Sequence, residues 1–182
     1  MRDVLVVAAT ARELESAAGA RTLVCGIGPV EAAISTAREL VERPAGAVLH
    51  VGLAGARGLP AGALVVGSEA VYCDVRAAVP VPERVEADPG LLEAVRSALA
   101  DAVVRPIGTS ARVGGSTGCD VEAMEGFAVL RAAQLAGVPA IEVRAVANEI
   151  DEPDRGRWRF EDGFAALDAA LPSLLSALAL AP

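Results

Sequence analysis

Four apolar runs in this sequence end in residues equipped for chemistry. VVAAT is followed by Glu13. VCGIG closes on Gly26 and Gly28. HVGLAGA carries His50, Gly52 and Gly55. The segment from Cys119 to Trp158 holds Met124-Glu125-Gly126 and, beyond a further apolar run, Asn148. A carboxylate such as Glu13 is able to hold a water or take a proton from it. Glu125, where a loop becomes a helix, is able to accept two hydrogen bonds from a vicinal diol such as ribose O2′ and O3′, with Met124 packing on the sugar's apolar face. The Asn148 amide is able to donate to a heteroaromatic base. Each residue also has a structural reading: a solvated helix-start glutamate for Glu13, a helix cap for Glu125, a turn residue for Asn148. Gly26 and Gly28 allow a tight turn or close backbone approach to a ligand. They lack the third glycine of a dinucleotide fingerprint, and tight helix packing explains them equally. Gly52 and Gly55 leave similar room for backbone contacts.

Composition narrows the chemistry. His50 is the only histidine, and Cys25, Cys73 and Cys119 are scattered without metal-ligand spacing or a disulfide framework. No metal and no cofactor are expected, and a reducing, cytoplasmic setting is the simpler one. All 16 basic residues are Arg, which removes a Schiff-base or P-loop lysine. A formal net charge of −8 argues against a nucleic-acid partner, though not against a small nucleoside. The apolar run after Met1 is too short for a signal-peptide core. The Ala/Leu-rich C-terminal segment carries Asp168, Pro172 and serines, so it reads as a packed last helix rather than a membrane span. Arg144 lies inside an apolar strand and calls for a buried carboxylate partner, with Glu142 as a candidate. Glu122 reads as a second acid near the site or as a solvated loop group. Asp151 to Arg157 reads as a charged surface loop. Trp158 and Phe160 are candidates to stack on a base, and Phe164 reads as a core residue.

These residues need elements to position them. Strands are expected at 3–10, 21–28, 45–56, 63–67 with an extension towards Asp74, and 139–147. Helices are expected at 29–44, 91–102, 125–137 and 164–180, with Pro29 in a first turn and Gly137 as a C-cap. A polar loop spans 80–90 and a Gly/Ser/Thr-rich link spans 107–118. At 53% hydrophobic and 3% aromatic, the core is built from Ala, Val and Leu. Apolar strands alternating with helices predict a single α/β domain over residues 1–182, with a mostly parallel sheet between helical layers. Ligands in such folds sit at strand ends.

The quoted stretches, in order, resemble the nucleoside phosphorylase/hydrolase superfamily across nearly the whole chain. The closest likeness is to the futalosine hydrolases, relatives of the methylthioadenosine/S-adenosylhomocysteine nucleosidases. The most specific segments are DVEAMEGFAVLRAAQLAGVP and EVRAVANEIDEPDRGRW. The resemblance implies a three-layer sandwich whose central mixed sheet curls into a partial barrel, and a homo-oligomer. It implies that Glu13 positions and activates water, that Met124 and Glu125 bind ribose, and that Asn148 contacts hypoxanthine where adenine-specific relatives carry an aspartate acid. Arg144 matches a structural arginine. The implied reaction is hydrolysis of futalosine to hypoxanthine and dehypoxanthinyl futalosine, serving menaquinone synthesis. The alternatives are a methylthioadenosine/S-adenosylhomocysteine nucleosidase and a catalytically degenerate nucleoside-binding homologue. A phosphorylase is disfavoured, since no clamp of Arg and Ser/Thr for phosphate stands out.

Overall fold

A computed structural model describes residues 2–181 except 18, 76 and 113–117. The elements run β1 (Val4–Ala8), β2 (Arg21–Val24), α1 (Pro29–Glu42), β3 (Ala47–Ala56), β4 (Leu64–Tyr72), β5 (Arg84–Glu86), α2 (Pro89–Ala98), β6 (Val103–Thr109), β7 (Val121–Ala123), α3 (Gly126–Leu135), β8 (Ala140–Glu149) and α4 (Phe160–Leu180). One sheet holds them in the order β2-β1-β3-β7-β6-β4-β5, while β8 pairs with both β3 and β4. The path β3-β8-β4-β6-β7-β3 therefore closes on itself, which makes the central part of the sheet a small barrel with β1 and β2 continuing it on one side. The sheet is mixed, as the resemblance implies: β1–β2, β1–β3, β3–β8, β4–β6 and β6–β7 are parallel, and β3–β7, β4–β5 and β4–β8 are antiparallel.

Strict alternation along the buried strands splits the core into layers. Val4, Val6 and Ala8 of β1 join Leu49 and Val51 of β3 and Ile141 and Val143 of β8 under α2 and α4. Leu5 and Val7 of β1, with Val48 of β3 and Ala140 of β8, face α1 and α3. Val65, Ile107, Val121 and Val146 fill the barrel interior. On the α1/α3 face, the alternation brings His50 and Gly52 of β3 into cross-strand register with Glu142 and Arg144 of β8. A polar stripe thus crosses an otherwise apolar layer.

Helix ends follow local chemistry. The Asp88 side chain accepts from Gly90 and Leu91 N–H at 3.0 Å, ahead of Pro89 in the first turn of α2. Gly137 closes α3 at φ +69°. Helix α4 starts at Phe160 rather than Phe164. It is long and apolar enough to cross a membrane by length and composition, and it lays Leu167, Leu171, Leu174 and Leu178 on the sheet.

Three strands, β5, β6 and β7, depart from expectation. Only Val85 of β5 is buried, so the polar loop gave no apolar run to read. Strand β6 occupies part of the expected link because exposed Arg105 and Pro106 interrupt its pattern. Pro106 falls where pairing with β4 skips a step, a position that tolerates the missing N–H. Strand β7 is only three residues long. Residues 113–117 of the link lie outside the described residues.

Leu171 is fully buried at the middle of α4. Leu171→Ala is expected to destabilise the fold by about 2–5 kcal/mol, read as a lowered urea midpoint with an unchanged slope.

Candidate active site

A cavity of about 290 Å³ opens at the ends of β1, β3 and β8 and takes in Glu13, Met124, Glu125 and Asn148 together. That is close to the lower end of the ~300–1,000 Å³ range of small-molecule pockets. Its other walls include Thr10, Ile27, Leu53, Gly55, Glu122, Arg144 and the rings of Trp158, Phe160 and Phe164.

The topology explains the convergence. At its end, β3 lies between two strands: Gly55 is opposite Glu122 of β7 and beside Asn148 of β8. The β3–β8 register shifts after Ala54, leaving Ala147 as an extra residue. Bulges of this kind re-aim the next side chain, here Asn148. A Cβ at Gly55 would stand 2.9 Å from Asn148 Nδ2, so the glycine makes room for the amide. That amide donates to Glu149 O at 3.0 Å. Strand β7 leads through Met124 into Glu125, which precedes α3.

Glu13 sits in a 3-10 turn after β1 and is 7% exposed. Its Oε2 accepts from Thr10 N and Thr10 Oγ1 at 2.9 and 2.8 Å, and its Oε1 accepts from Leu53 N at 3.1 Å. The turn is anchored to α4. Arg12 pairs with Asp168 at 3.2 Å and lies 4.5 Å over the Phe164 ring, while Ser16 Oγ donates to Asp168 at 2.7 Å. A carboxylate held by three donors, with one edge on a cavity, is suited to orient a water.

Glu125 is 4% exposed. Its Oε1 accepts from Gly28 N at 3.0 Å, and its Oε2 lies 3.5 Å from Arg144 Nη2. Arg144, 1% exposed, is the centre of the cluster. Its Nε donates to Glu142 Oε1 at 2.7 Å, its Nη1 donates to Leu53 O at 3.4 Å, and its Nη2 meets His50 Nε2. His50 Nδ1 lies 3.0 Å from Val7 O. A carbonyl only accepts, so Nδ1 carries the proton and Nε2 accepts from Arg144. Burial, and then the Arg144 charge, push the His50 pKa well below 6.5, which keeps the ring neutral. Burial raises the Glu142 pKa although Arg144 opposes it. Burial alone would lower that of Arg144, but Glu142, Glu125 and Glu13 together raise it. Burial, reinforced by Glu125, pushes the Cys25 thiol up to about 12, which leaves it a packing residue at neutral pH.

The other sequence-selected glycines stand behind the cavity wall. A Cβ at Gly52 would fall 2.2 Å from Arg144 Nη1 and 2.8 Å from Glu13 Oε1, so this glycine clears the path of the guanidinium. Gly26 and Gly28 have φ of +87° and +92° and shape the turn into α1. Of these three, Gly28 reaches the site's side chains through its N–H. Glu142 is the buried partner of Arg144. Glu122 is 7% exposed, in a strand rather than a solvated loop. Phe164 lines the cavity as well as packing in α4. Reading the sequence overlooked Thr10, Leu53 and Asp168. Asp168 carried a signal as an acid within an apolar helix, whereas a Leu53 backbone N–H carries none. Among the described residues, no group of three or more His, Cys, Asp or Glu side chains could hold a metal ion.

Comparison with known proteins adds the following. A family model described as the phosphorylase superfamily matches residues 17–179. The futalosine hydrolase of Streptomyces coelicolor is 34% identical over 186 residues, covering 86% of this chain and 78% of that protein. A futalosine hydrolase mutant of Helicobacter pylori strain 26695 has the same fold, with a TM-score of 0.88 at 17% identity over 97% of this chain and 99% of that one. So does the 5′-methylthioadenosine/S-adenosylhomocysteine nucleosidase of Neisseria meningitidis, solved with methylthio-immucillin-A, with a TM-score of 0.82 at 24% identity over 97% of each chain.

The neutral, buried His50 makes stability depend on pH. Below pH 6.5 the unfolded chain binds a proton that the folded chain refuses, so stability falls as pH falls. Glu142, whose pKa burial raises, acts in the opposite sense, its contribution weakening as pH rises. A variant therefore isolates the histidine contribution. His50→Gln keeps a donor for Val7 O and an acceptor for Arg144 but does not titrate. Urea unfolding between about pH 5 and pH 7 is expected to show wild type losing up to ~1.4 kcal/mol per pH unit relative to the variant.

Proposed function

The chain belongs to the phosphorylase superfamily, among its futalosine-hydrolase-like members, and on that premise we propose that it hydrolyses the N-glycosidic bond of futalosine. The products are hypoxanthine and dehypoxanthinyl futalosine. The observation that carries this reading is that Glu13, Glu125 and Asn148 border one cavity while Arg144 links the carboxylate side of it to the core.

The chemistry follows from these residues. Glu125 accepts from the ribose hydroxyls with Met124 against the sugar. As the bond between the anomeric carbon and the base nitrogen breaks, its electron pair leaves with the purine and the ribose becomes cationic. Carboxylates near that cation interact more strongly as charge develops, which is the kind of contact that accelerates a reaction. Water held by Glu13 adds to the anomeric carbon and gives up a proton through the carboxylate. Asn148 donates a hydrogen bond to the departing base, whose proton is completed from water.

We also propose that the chain works as a homo-oligomer through α1. Val30, Ile34 and Val41 are 68%, 61% and 82% exposed, and with exposed Ala37 they form a seam spaced four, three and four residues apart. That spacing is the coiled-coil pattern, and it reads the same in both directions. A two-fold contact therefore sets Val30 against Val41 and Ile34 against Ala37 of a second copy. Two copies each carrying −8 repel elsewhere, which favours contact along an uncharged seam. Exposed Ile27, just ahead of the seam, is also part of the cavity wall.

Two experiments test these readings. Purified protein is incubated with futalosine, methylthioadenosine, adenosylhomocysteine or inosine, with and without phosphate, and free base is followed. Futalosine turnover independent of phosphate is expected, and Glu13→Gln and Glu125→Gln are each expected to lower it by about 10²–10⁴-fold while remaining folded. Full turnover in both variants would remove them from the mechanism. For the seam, sedimentation is expected to show a wild-type oligomer and a monomeric Ile34→Glu; a wild-type monomer at micromolar concentration would refute it.

A further inference from the structure

Glu142 has no edge on the cavity, yet the fold makes unusual room for it. It is fully buried, and its Oε2 accepts no hydrogen bond among the described residues. A Cβ at Gly126 would fall 2.2 Å from that oxygen and 2.4 Å from Oε1. Gly126 is the first residue of α3 and directly follows Glu125. The carboxylate therefore lies against the start of the helix that Glu125 leads into, with its other oxygen on Arg144 Nε. Gly67 of the neighbouring strand adds a second close approach, its Cβ position being 3.4 Å from Glu142 Cβ.

The geometry has a consequence for Glu125. Arg144 has one guanidinium to share between two acids that it reaches unequally: 2.7 Å to Glu142 and 3.5 Å to Glu125. The shorter contact holds the guanidinium back and leaves Glu125 loosely engaged, with acceptor capacity directed at the cavity. We propose that Glu142 is a positioning residue of the proposed nucleosidase: it restrains Arg144 so that Glu125 remains free to grip the ribose diol. This rests on the reading of Glu125 as the ribose-binding acid. Loss of the Glu142 carboxylate transfers the guanidinium to Glu125, which closes into a tight pair and gives up part of its hold on the sugar.

The test has a structural arm and a kinetic arm. In a crystal structure of Glu142→Ala, Arg144 Nη2 is expected to close from 3.5 Å to about 2.7–2.9 Å of Glu125 Oε2, the distance of a tight charge-assisted hydrogen bond; an unchanged separation would overturn the proposal whether or not any nucleoside is turned over. In kinetics, Glu142→Gln is expected to lower kcat by roughly 10–100-fold, the scale of a displacement of about 1 Å, with KM changing less. The penalty is expected to shrink on substrate analogues lacking the ribose 2′- or 3′-hydroxyl, because Glu125 then has less to hold. An equal penalty on hydroxylated and deoxy analogues would mean that Glu142 only supports the fold. Gly126→Ala, which displaces the same carboxylate, is expected to reproduce the kinetic effect and to add nothing in a Glu142→Ala background. Simple additivity of the two changes would also overturn the proposal. A wild type inactive on every nucleoside would instead defeat the proposed function and leave the structural arm to decide this one.

Discussion

The structure depends on keeping one guanidinium charged inside an apolar layer. Arg144 is almost wholly buried, and its cost is met by Glu142, Glu125, His50 and Leu53 O rather than by solvent. Removing one partner of such a buried pair costs about 3–5 kcal/mol, because the remaining charge is stranded. A lysine would not serve here. The contacts leave Nε, Nη1 and Nη2 in three fixed directions, which a planar fork satisfies and an ammonium does not. The charge also dictates the small residues around it, since Gly52 and Gly126 stand where any Cβ would collide with the guanidinium or with the Glu142 carboxylate.

Barrel closure performs the complementary task. In an open sheet, neighbouring strand ends splay apart. Here β3 is flanked at its end by β7 and β8 together, so segments distant in sequence meet at Gly55. The 3-10 turn after β1 supplies Glu13 from the third direction and is pinned from behind by Asp168 of α4. Each acid thus sits on a short, braced segment rather than on a long loop, and the cavity is bordered by side chains with little freedom to drift.

Much of this was legible in the sequence because buried strands advertise themselves. DVLVVAAT, GAVLHVGLAGA and PAIEVRAVA are apolar runs with no competing helical period, and the helices between them are amphipathic. The mostly parallel pairing was legible, but the antiparallel partners of β4 were not, since no local pattern encodes them. Strands β5 and β7 are three residues long and carry too few side chains to show alternation. Glu13, Glu125 and Asn148 were visible as polar residues at strand ends. Their shared cavity was expected from the family resemblance, while the means of convergence, a bulge at Ala147 and antiparallel pairing of β7, was not legible. Glu142 and Arg144 were visible as a polar pair two residues apart on a strand. The size of the gap between Arg144 and Glu125 was not, because it reflects packing across three elements.

The balance of charge in the cavity bears on which nucleophile it accepts. Glu13, Glu122 and Glu125 border it, while Arg144 is engaged with Glu142 and His50 and Arg112 is exposed to solvent. An incoming phosphate would approach three acids with no free buried cation beside them among the described residues, and desolvating it there is costly. Water carries no such penalty, and Thr10 and Leu53 already hold Glu13 in a fixed orientation to receive it. The same negative lining favours a cationic ribose and opposes an anionic base. On the proposed reaction, the purine therefore cannot be allowed to accumulate full negative charge within the cavity. Asn148, at the rim and only half-buried, stands where a leaving base meets solvent. A hydrogen bond from an amide, followed by protonation from water, suits that position. On the proposed reaction, a lining that carries Glu13, Glu122 and Glu125 supports hydrolysis rather than phosphorolysis.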